Sequence, residues 1–309
     1  MHKLSVAVIY VQYEPEKHNG SLSFFRGMLD RIQHDFRFVI IDNKIGNKFP
    51  ETLADGTILI GGDNSIYDFS GWQKGVQWID GRNEKYDLII FANDSYPLNI
   101  NEYKGCLNSN LFYILKKYNL SAGVIYNSNY RDWRRYFVLR PDEYRIGGCS
   151  FNYWVRSNFM IMPYNVRKIM KSVNEATNNM ISPEYNEQNI FSDQVSRSLQ
   201  KHILTYLCPE KEEDPKYIWH SRFVLARETY QHFRIKARVL LCEKLLGPYA
   251  LSSDSFFVDI RTIGILHQMD RFVPRLVCNI IHWLKTNPNR QIYYLFIFKR
   301  FIKYVRKNI

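Results

Sequence analysis

Along the first hundred positions, short apolar runs alternate with stretches whose apolar residues recur at helical spacing. Residues 4–11 and 37–43 are built on short apolar runs and predict the first two strands, the second ending in Asp42 and Asn43. Between them, Leu22, Phe25, Leu29 and Ile32 share one face of a predicted crossover helix over 21–33. Residues 57–61 predict a short third strand, and 70–80 a helix with Trp72, Val76 and Ile79 toward the sheet. Residues 88–92 form a fourth run, broken by Asn93, Asp94 and Ser95 and stopped by Pro97. Strands alternating with helices imply an α/β fold with a mostly parallel sheet covered on both faces. Further on, the pattern predicts a helix over 107–118, a strand over 121–126, and a strand ending near 162 after Gly147 and Gly148. A helix beginning within 163–173, a polar loop over 178–189 and a helix over 190–203 follow. Residues 208–215 read as a charged, proline-bounded hinge, and 217–226 as a strand or extended crossing. From about 228 the pattern is helical and basic. Two regions are therefore expected, 1–215 and a helical, basic 216–309.

Composition narrows the classes. Hydrophobic residues make up 46% of the 309, which excludes a mainly disordered chain. The five cysteines are scattered and form no Cys-x-x-Cys, which argues against a disulfide framework or a zinc site and for a reducing cytosol. No secretory leader and no transmembrane run is expected. The net charge of +12 is unevenly placed: no acidic residue follows Asp270, while 271–309 carries nine Lys/Arg. Such asymmetry implies an anionic partner.

The candidate chemistry lies at strand ends. In open α/β sheets ligands bind beyond the carboxyl ends of the strands, and a hard cation such as Mg²⁺ or Mn²⁺ takes one or two carboxylates plus phosphate oxygens. Asp94 is therefore a candidate metal or diphosphate contact; as a bland alternative it caps a turn. Asp42 is either an acceptor for a base or ribose or an Asx-turn residue. Asn64 and Asp68 are polar candidates that the resemblance described next would set on ribose or sugar hydroxyls, with Asp68 or Ser70 also suited to N-capping the helix and Ser70 and Gly71 to close backbone approach. Ser192 and Asp193 open the helix predicted over 190–203 as N-cap or first-turn residues. A lone His220 among aromatics is more often structural than a ligand. Arg131, Arg134, Arg135 and Arg156 are candidates for binding an anionic group, which the resemblance described next makes an acceptor or a diphosphate.

The succession of the first strand, Asp42-Asn43, the segment Asp63 to Gly75 and Asn93-Asp94-Ser95 resembles the nucleotide-sugar half of GT-A glycosyltransferases. Within them it is most similar to bacterial cell-surface polysaccharide transferases of the rhamnan synthesis protein F kind. The resemblance covers roughly residues 4–200. It implies a GT-A, Rossmann-like sheet and donor contacts by Asp42, Asn64, Asp68, Asn93 and Asp94. It also implies a divalent cation, Mn²⁺ or Mg²⁺, on Asp94, with His220 as a late ligand. Where the usual second Asp of the strand-end motif stands, this chain has Ser95. Residues 191–199 resemble the acidic helix start that carries the general base, which places Asp193 there, with Glu187 and Glu184 competing. The implied activity is transfer of a sugar from a UDP- or dTDP-type donor to a glycan or lipid-linked acceptor in O-antigen or capsule synthesis.

The C-terminal segment interleaves Lys299, Arg300, Lys303, Arg306 and Lys307 with Phe298, Phe301, Ile302 and Val305. That is the form of an interfacial membrane helix, so an anionic membrane surface is an expected partner and a peripheral cytoplasmic location follows. A helix docked on the domain is the plainer alternative. Nucleic acid is not an expected partner, since no zinc-finger spacing or RNA-recognition signature occurs. A non-catalytic membrane- or nucleic-acid-binding protein on the same fold is the competing class.

Overall fold

The computed structural model describes residues 3–13, 16, 18–46, 49–96, 105–127, 144–151, 153–208, 224–272 and 274–286. The elements run β1 (Ser5–Gln12), α1 (Ser21–Leu29), β2 (Asp35–Asp42), β3 (Glu51–Thr52), β4 (Ile58–Gly61), α2 (Tyr67–Asp80), β5 (Leu88–Asn93), α3 (Ser109–Tyr118) and β6 (Leu120–Asn127). Then come β7 (Tyr144–Ile146), β8 (Cys149–Phe151), β9 (Tyr153–Pro163), α4 (Ile169–Thr177), α5 (Arg197–Leu207), α6 (Tyr230–Ser252), β10 (Phe256–Asp259), α7 (Ile263–Phe272) and α8 (Pro274–Thr286).

Eight strands form one sheet in the order β10-β6-β9-β5-β1-β2-β4-β3, and β7 pairs with β8 apart from it. The pairs β1/β2, β1/β5, β2/β4 and β6/β10 are parallel; β9 runs against both its neighbours and β3 against β4. The fold is thus the mostly parallel, helix-flanked, Rossmann-like α/β sheet that the alternating pattern predicts. Strand alternation divides the core in two. Val6, Val8 and Tyr10 of β1 join α1, α3, α7 and α8 on one face. Ala7, Ile9 and Val11 join α2, α4, α5 and α6 on the other.

The chain leaves β1 toward β2 and β4, then returns through α2 to β5 on the opposite side of β1. The carboxyl ends of β1 and β5 are therefore the topological switch point, where open sheets leave a crevice. Helix α2 is held hard against this place. Gly71 and Gly75 face β1 so closely that a Cβ would meet Val11 Cγ2 at 2.7 Å and Ile9 Cγ2 at 2.5 Å. The small residue at Gly71 thus serves helix–strand packing. Fully buried Trp72 donates its indole N–H to the Ala92 carbonyl at 3.2 Å, tying α2 to β5.

Several boundaries differ from the pattern. Helix α2 starts three residues before the predicted 70, at Tyr67. No side chain caps its N-terminus; Ser70 Oγ accepts from Ile66 N and donates to the Tyr67 carbonyl, bracing the first turn from inside. Helix α5 starts at Arg197, seven residues after the predicted 190. The preceding residues are claimed by pairing: Val195 bridges Ile146, and Ser196 N donates to the Arg145 carbonyl. Ser192 and Asp193 consequently cap no helix. The expected boundary at 215/216 lies outside the described residues. Beyond it, α6 packs on β9 and α4, and β10 extends the sheet beside β6, so a strand stands where only helices were expected.

Candidate functional site

The lips of β1, β2 and β5 converge through hydrogen bonds. Gln12, last residue of β1, donates from Nε2 to Asp42 Oδ2 at 2.8 Å, and Lys44 N donates to Asp42 Oδ1 at 2.9 Å. Asp42 therefore makes the Asx turn of its bland reading, while its carboxylate retains lone pairs for further donors. Asn43 is buried and donates from Nδ2 to Asn64 Oδ1 at 3.1 Å and to the Tyr67 carbonyl at 3.3 Å. Its own Oδ1 is buried without a hydrogen-bond partner. A Cβ at Gly62 would lie 1.9 Å from that oxygen, so the position requires glycine. Asn64 and Tyr67 both adopt left-handed backbone, at φ 54° and 47°. For tyrosine this is a costly conformation, of the kind concentrated at binding sites.

Two carboxylates meet across the switch point. Asp94 Oδ2 accepts from Tyr13 N at 2.8 Å, locking the lip of β5 onto that of β1. The Asp94 carbonyl accepts from Ser21 Oγ, which in turn is 2.7 Å from the Tyr10 hydroxyl. Burial pushes the Tyr10 phenol up. Asp68, in the first turn of α2, accepts from Asn93 Nδ2 at 2.7 Å, and Ser95 Oγ donates to Asn93 Oδ1 at 2.7 Å. Asp68 is half-buried, and withdrawal of its carboxyl group from water pushes it up to about 7. The Asn93 bond opposes the rise, while the Asp94 charge adds to it.

A cation comes from a direction that sequence did not flag. Lys236 of α6 places Nζ 4.1 Å from the centroid of the Tyr67 ring. Burial lowers its ammonium to about 8, with the charge of Asp68 working the other way. Glu243, on the same side of α6, also acts on Asp68 by like-charge repulsion. The stripe His232, Lys236, Glu243 at intervals of four and seven was the available signal. It is obscured when everything after 228 is read as one basic extension.

The donor set suits a hard cation: Asp68 and Asp94 supply carboxylate oxygens, the usual protein share when phosphates and water complete the shell. Among the described residues no three His, Cys, Asp or Glu side chains gather around one point. His220, Arg131, Arg134 and Arg135 lie outside the described residues. Arg156, on β9, stands near Glu243 and Tyr206.

The structure places the expected bases elsewhere. Asp193 is exposed and lines a cleft of about 420 Å³ with Ile181, Phe191, Ser192 and Arg234. None of Asp42, Asn64, Asp68, Asn93 or Asp94 lines it. Arg234 and Lys236 are two positions apart on α6, about 200° around the helix, so this cleft and the Asp68 site address different sides of α6. Glu184 and Glu187 are exposed in the 178–189 loop and line neither.

No family model matches the chain, and no curated protein matches it. Among solved structures it is similar to the glycosyltransferase GlyE of Streptococcus pneumoniae TIGR4, with 9% identity over 80% of this chain and a TM-score of 0.25. The chain spans 64% of that protein's length. So distant a likeness decides nothing about chemistry.

Proposed function

We propose that this chain is a glycosyltransferase that binds a nucleoside-diphosphate sugar over the carboxyl ends of β1, β2 and β5 and passes the sugar to a hydroxyl acceptor. The observation that carries the reading is the convergence of Asp68, Asn93, Asp94 and Lys236 on one switch-point crevice. Carboxylates for a cation and an ammonium for phosphates are what a diphosphate demands, and crevices at such points take nucleotides. Asp42, Asn43 and Asn64 form the neighbouring polar wall, with the remaining lone pairs of the Asp42 carboxylate offered to a base or ribose donor. Asp94 and Asp68 would hold Mg²⁺ or Mn²⁺, with His220 a further ligand by resemblance. Such a cation neutralises charge on the departing diphosphate. Lys236 adds a second positive charge at the same place.

The finer reading is a UDP- or dTDP-hexose donor and a glycan or lipid-linked acceptor of bacterial surface polysaccharide synthesis. It draws support from the acid-free basic segment 271–309, suited to an anionic membrane where such acceptors reside. The test is a thermal-shift panel of UDP, dTDP, GDP and ADP with and without Mn²⁺. A ligand that binds only the native state raises the melting temperature. UDP or dTDP should raise it, more strongly with Mn²⁺, and Asp94→Asn should abolish the increment. No shift with any nucleoside diphosphate sinks the proposal.

A further inference from the structure

Helix α6 presents His232, Lys236 and Glu243 within about 40° of one another, at 100° per residue. Lys236 of this stripe stands over Tyr67, and the charge of Glu243 is felt at Asp68. Glu243 therefore lies within electrostatic reach of the crevice that holds the proposed donor, on the same face of α6 as Lys236. Its Oε1 accepts from Ser157 N on β9 at 3.1 Å, which fixes the carboxylate at the wall between α6 and the sheet. The residue keeps partial exposure, whereas its chain neighbour Lys244 is only 2% exposed and lays its ammonium 3.2 Å from the centre of the Trp154 ring.

An aromatic group packs beside Lys244, the next residue, and within electrostatic reach of the same carboxylate. Trp154 and His202 rings are 5.8 Å apart, and His202 lies nearly parallel to Tyr206 at 6.4 Å. All three are partly exposed, and Tyr206 feels the Glu243 charge. Burial holds His202 down at about 4, so the group is neutral at working pH. Flat, neutral, partly wet rings offer an apolar face with polar edges, which matches a sugar ring.

We propose that Glu243 is the general base of the transfer, accepting the proton of an acceptor sugar hydroxyl seated against Trp154, His202 and Tyr206. The inference rests on the donor reading above. The acceptor oxygen attacks the anomeric carbon as the bond from that carbon to the diphosphate oxygen breaks. The electron pair of the broken bond leaves on the diphosphate, and the hydroxyl proton passes to the Glu243 carboxylate. One displacement inverts the anomeric centre. Asp68 and Asp94 are committed to the donor side. Asp193 faces its own cleft on the Arg234 side of α6. Burial raises the Glu243 carboxyl, with the Ser157 N–H and Lys244 opposing, which increases its appetite for a proton.

The test uses the full chain with UDP- and dTDP-hexoses as donors and p-nitrophenyl hexosides as acceptors, following diphosphate release and the product's anomeric configuration. Glu243→Gln keeps an acceptor for Ser157 N and should lower kcat by about 10²–10⁴. The variant should still bind UDP or dTDP, so that the loss lies in turnover and not in an empty donor site. Glu243→Asp keeps the charge beside Lys244 but withdraws the carboxylate by one methylene, and should still lose at least about tenfold in kcat; it decides the matter if the Gln variant does not fold. Wild-type kcat in Glu243→Gln, retention of configuration, or a hundredfold loss confined to Asp193→Asn overturns the proposal while leaving the donor site standing. A wild-type chain that binds neither UDP nor dTDP and transfers nothing refutes the donor reading itself.

Discussion

At Asp68 a carboxyl group is held in the first turn of α2 by Asn93, with Asp94 and Glu243 as like-charged neighbours. Its ordinary value of 3.8 becomes about 7 in the native protein. Between about pH 4 and 7 the native state therefore keeps a proton that the unfolded chain has released, and stability falls as pH rises through that window. Asp68→Asn removes this titration and still accepts from Asn93. The variant should melt like wild type near pH 4 and progressively higher than wild type up to pH 7, where the difference levels off. Melting curves across pH 4–8 without divalent cation check this, and donor turnover should be lost in parallel, as at sites that trade stability for binding. Lys236 gives a companion prediction. Lys236→Met keeps the stem over Tyr67 and removes the charge. Charge-assisted contacts are worth about 1.5–3 kcal/mol, so UDP or dTDP should bind about ten- to a hundredfold more weakly by calorimetry. At this scale the sequence nominated Asp42, Asn64, Asp68, Asn93 and Asp94, because acids and amides ending apolar runs stand out locally, and the structure gathers them at the lips of β1, β2 and β5. It hid Lys236 and Glu243, because their relevance arises only when α6, some 170 residues from α2, is laid across the crevice.

Elements are joined here by glycine as much as by apolar burial. Gly75→Ala would drive a methyl group into Ile9, which is fully buried in β1 and has nowhere to turn. Overpacking of this kind costs about 1–3 kcal/mol. The melting temperature should fall by several degrees, and nucleotide affinity should fall with it, since α2 carries Asp68. Gly27→Ala in α1 is the contrast: beyond its chain neighbours and the backbone of its own helix nothing lies within 4 Å of the added carbon, and the helix gains about 0.5–1 kcal/mol of propensity. A melt that drops for both variants would contradict the packing account. Strands β1, β2, β4 and β5 and helices α1 and α2 were legible to within a few residues, because period and burial agree along them. The start of α5 was not. Ser192 and Asp193 look like residues that open a helix, but pairing of 195 and 196 with the β7 edge captures the backbone there. Strand β10 was missed for the same reason: four residues, Phe256–Asp259, become a strand only because β6 offers an edge.

Over the whole molecule, the decisive question is where the folded body stops and the basic segment begins. Helix α8 buries Val277, Ile280, Ile281 and Leu284 in the core shared by α3, β6 and α7. Lys285 donates to the Asp254 carbonyl at 3.2 Å and pairs with its carboxylate at 3.0 Å. The stretch 274–286, read from sequence as part of a surface-seeking tail, is therefore docked on the domain. No helix among the described residues is long and apolar enough to cross a membrane. Residues 287–309 lie outside the described set and hold six of the nine basic residues after Asp270. Two truncations separate folding from surface attachment. A chain ending at Thr286 keeps every buried contact of α8 and should melt within a few degrees of the full chain. It should lose most binding to vesicles containing anionic phosphatidylserine, since each basic residue near such a surface contributes about 1 kcal/mol. Binding by the full chain should weaken with added salt, as screening shortens the reach of exposed charge. A chain ending at residue 273 also removes four buried side chains, each worth about 1.5–3 kcal/mol, a total comparable to the stability of a whole domain. It should fail to fold or should melt far lower. Vesicle binding unchanged by removal of 287–309 would refute the membrane assignment, and unfolding of the chain ending at Thr286 would show that the basic segment belongs to the core.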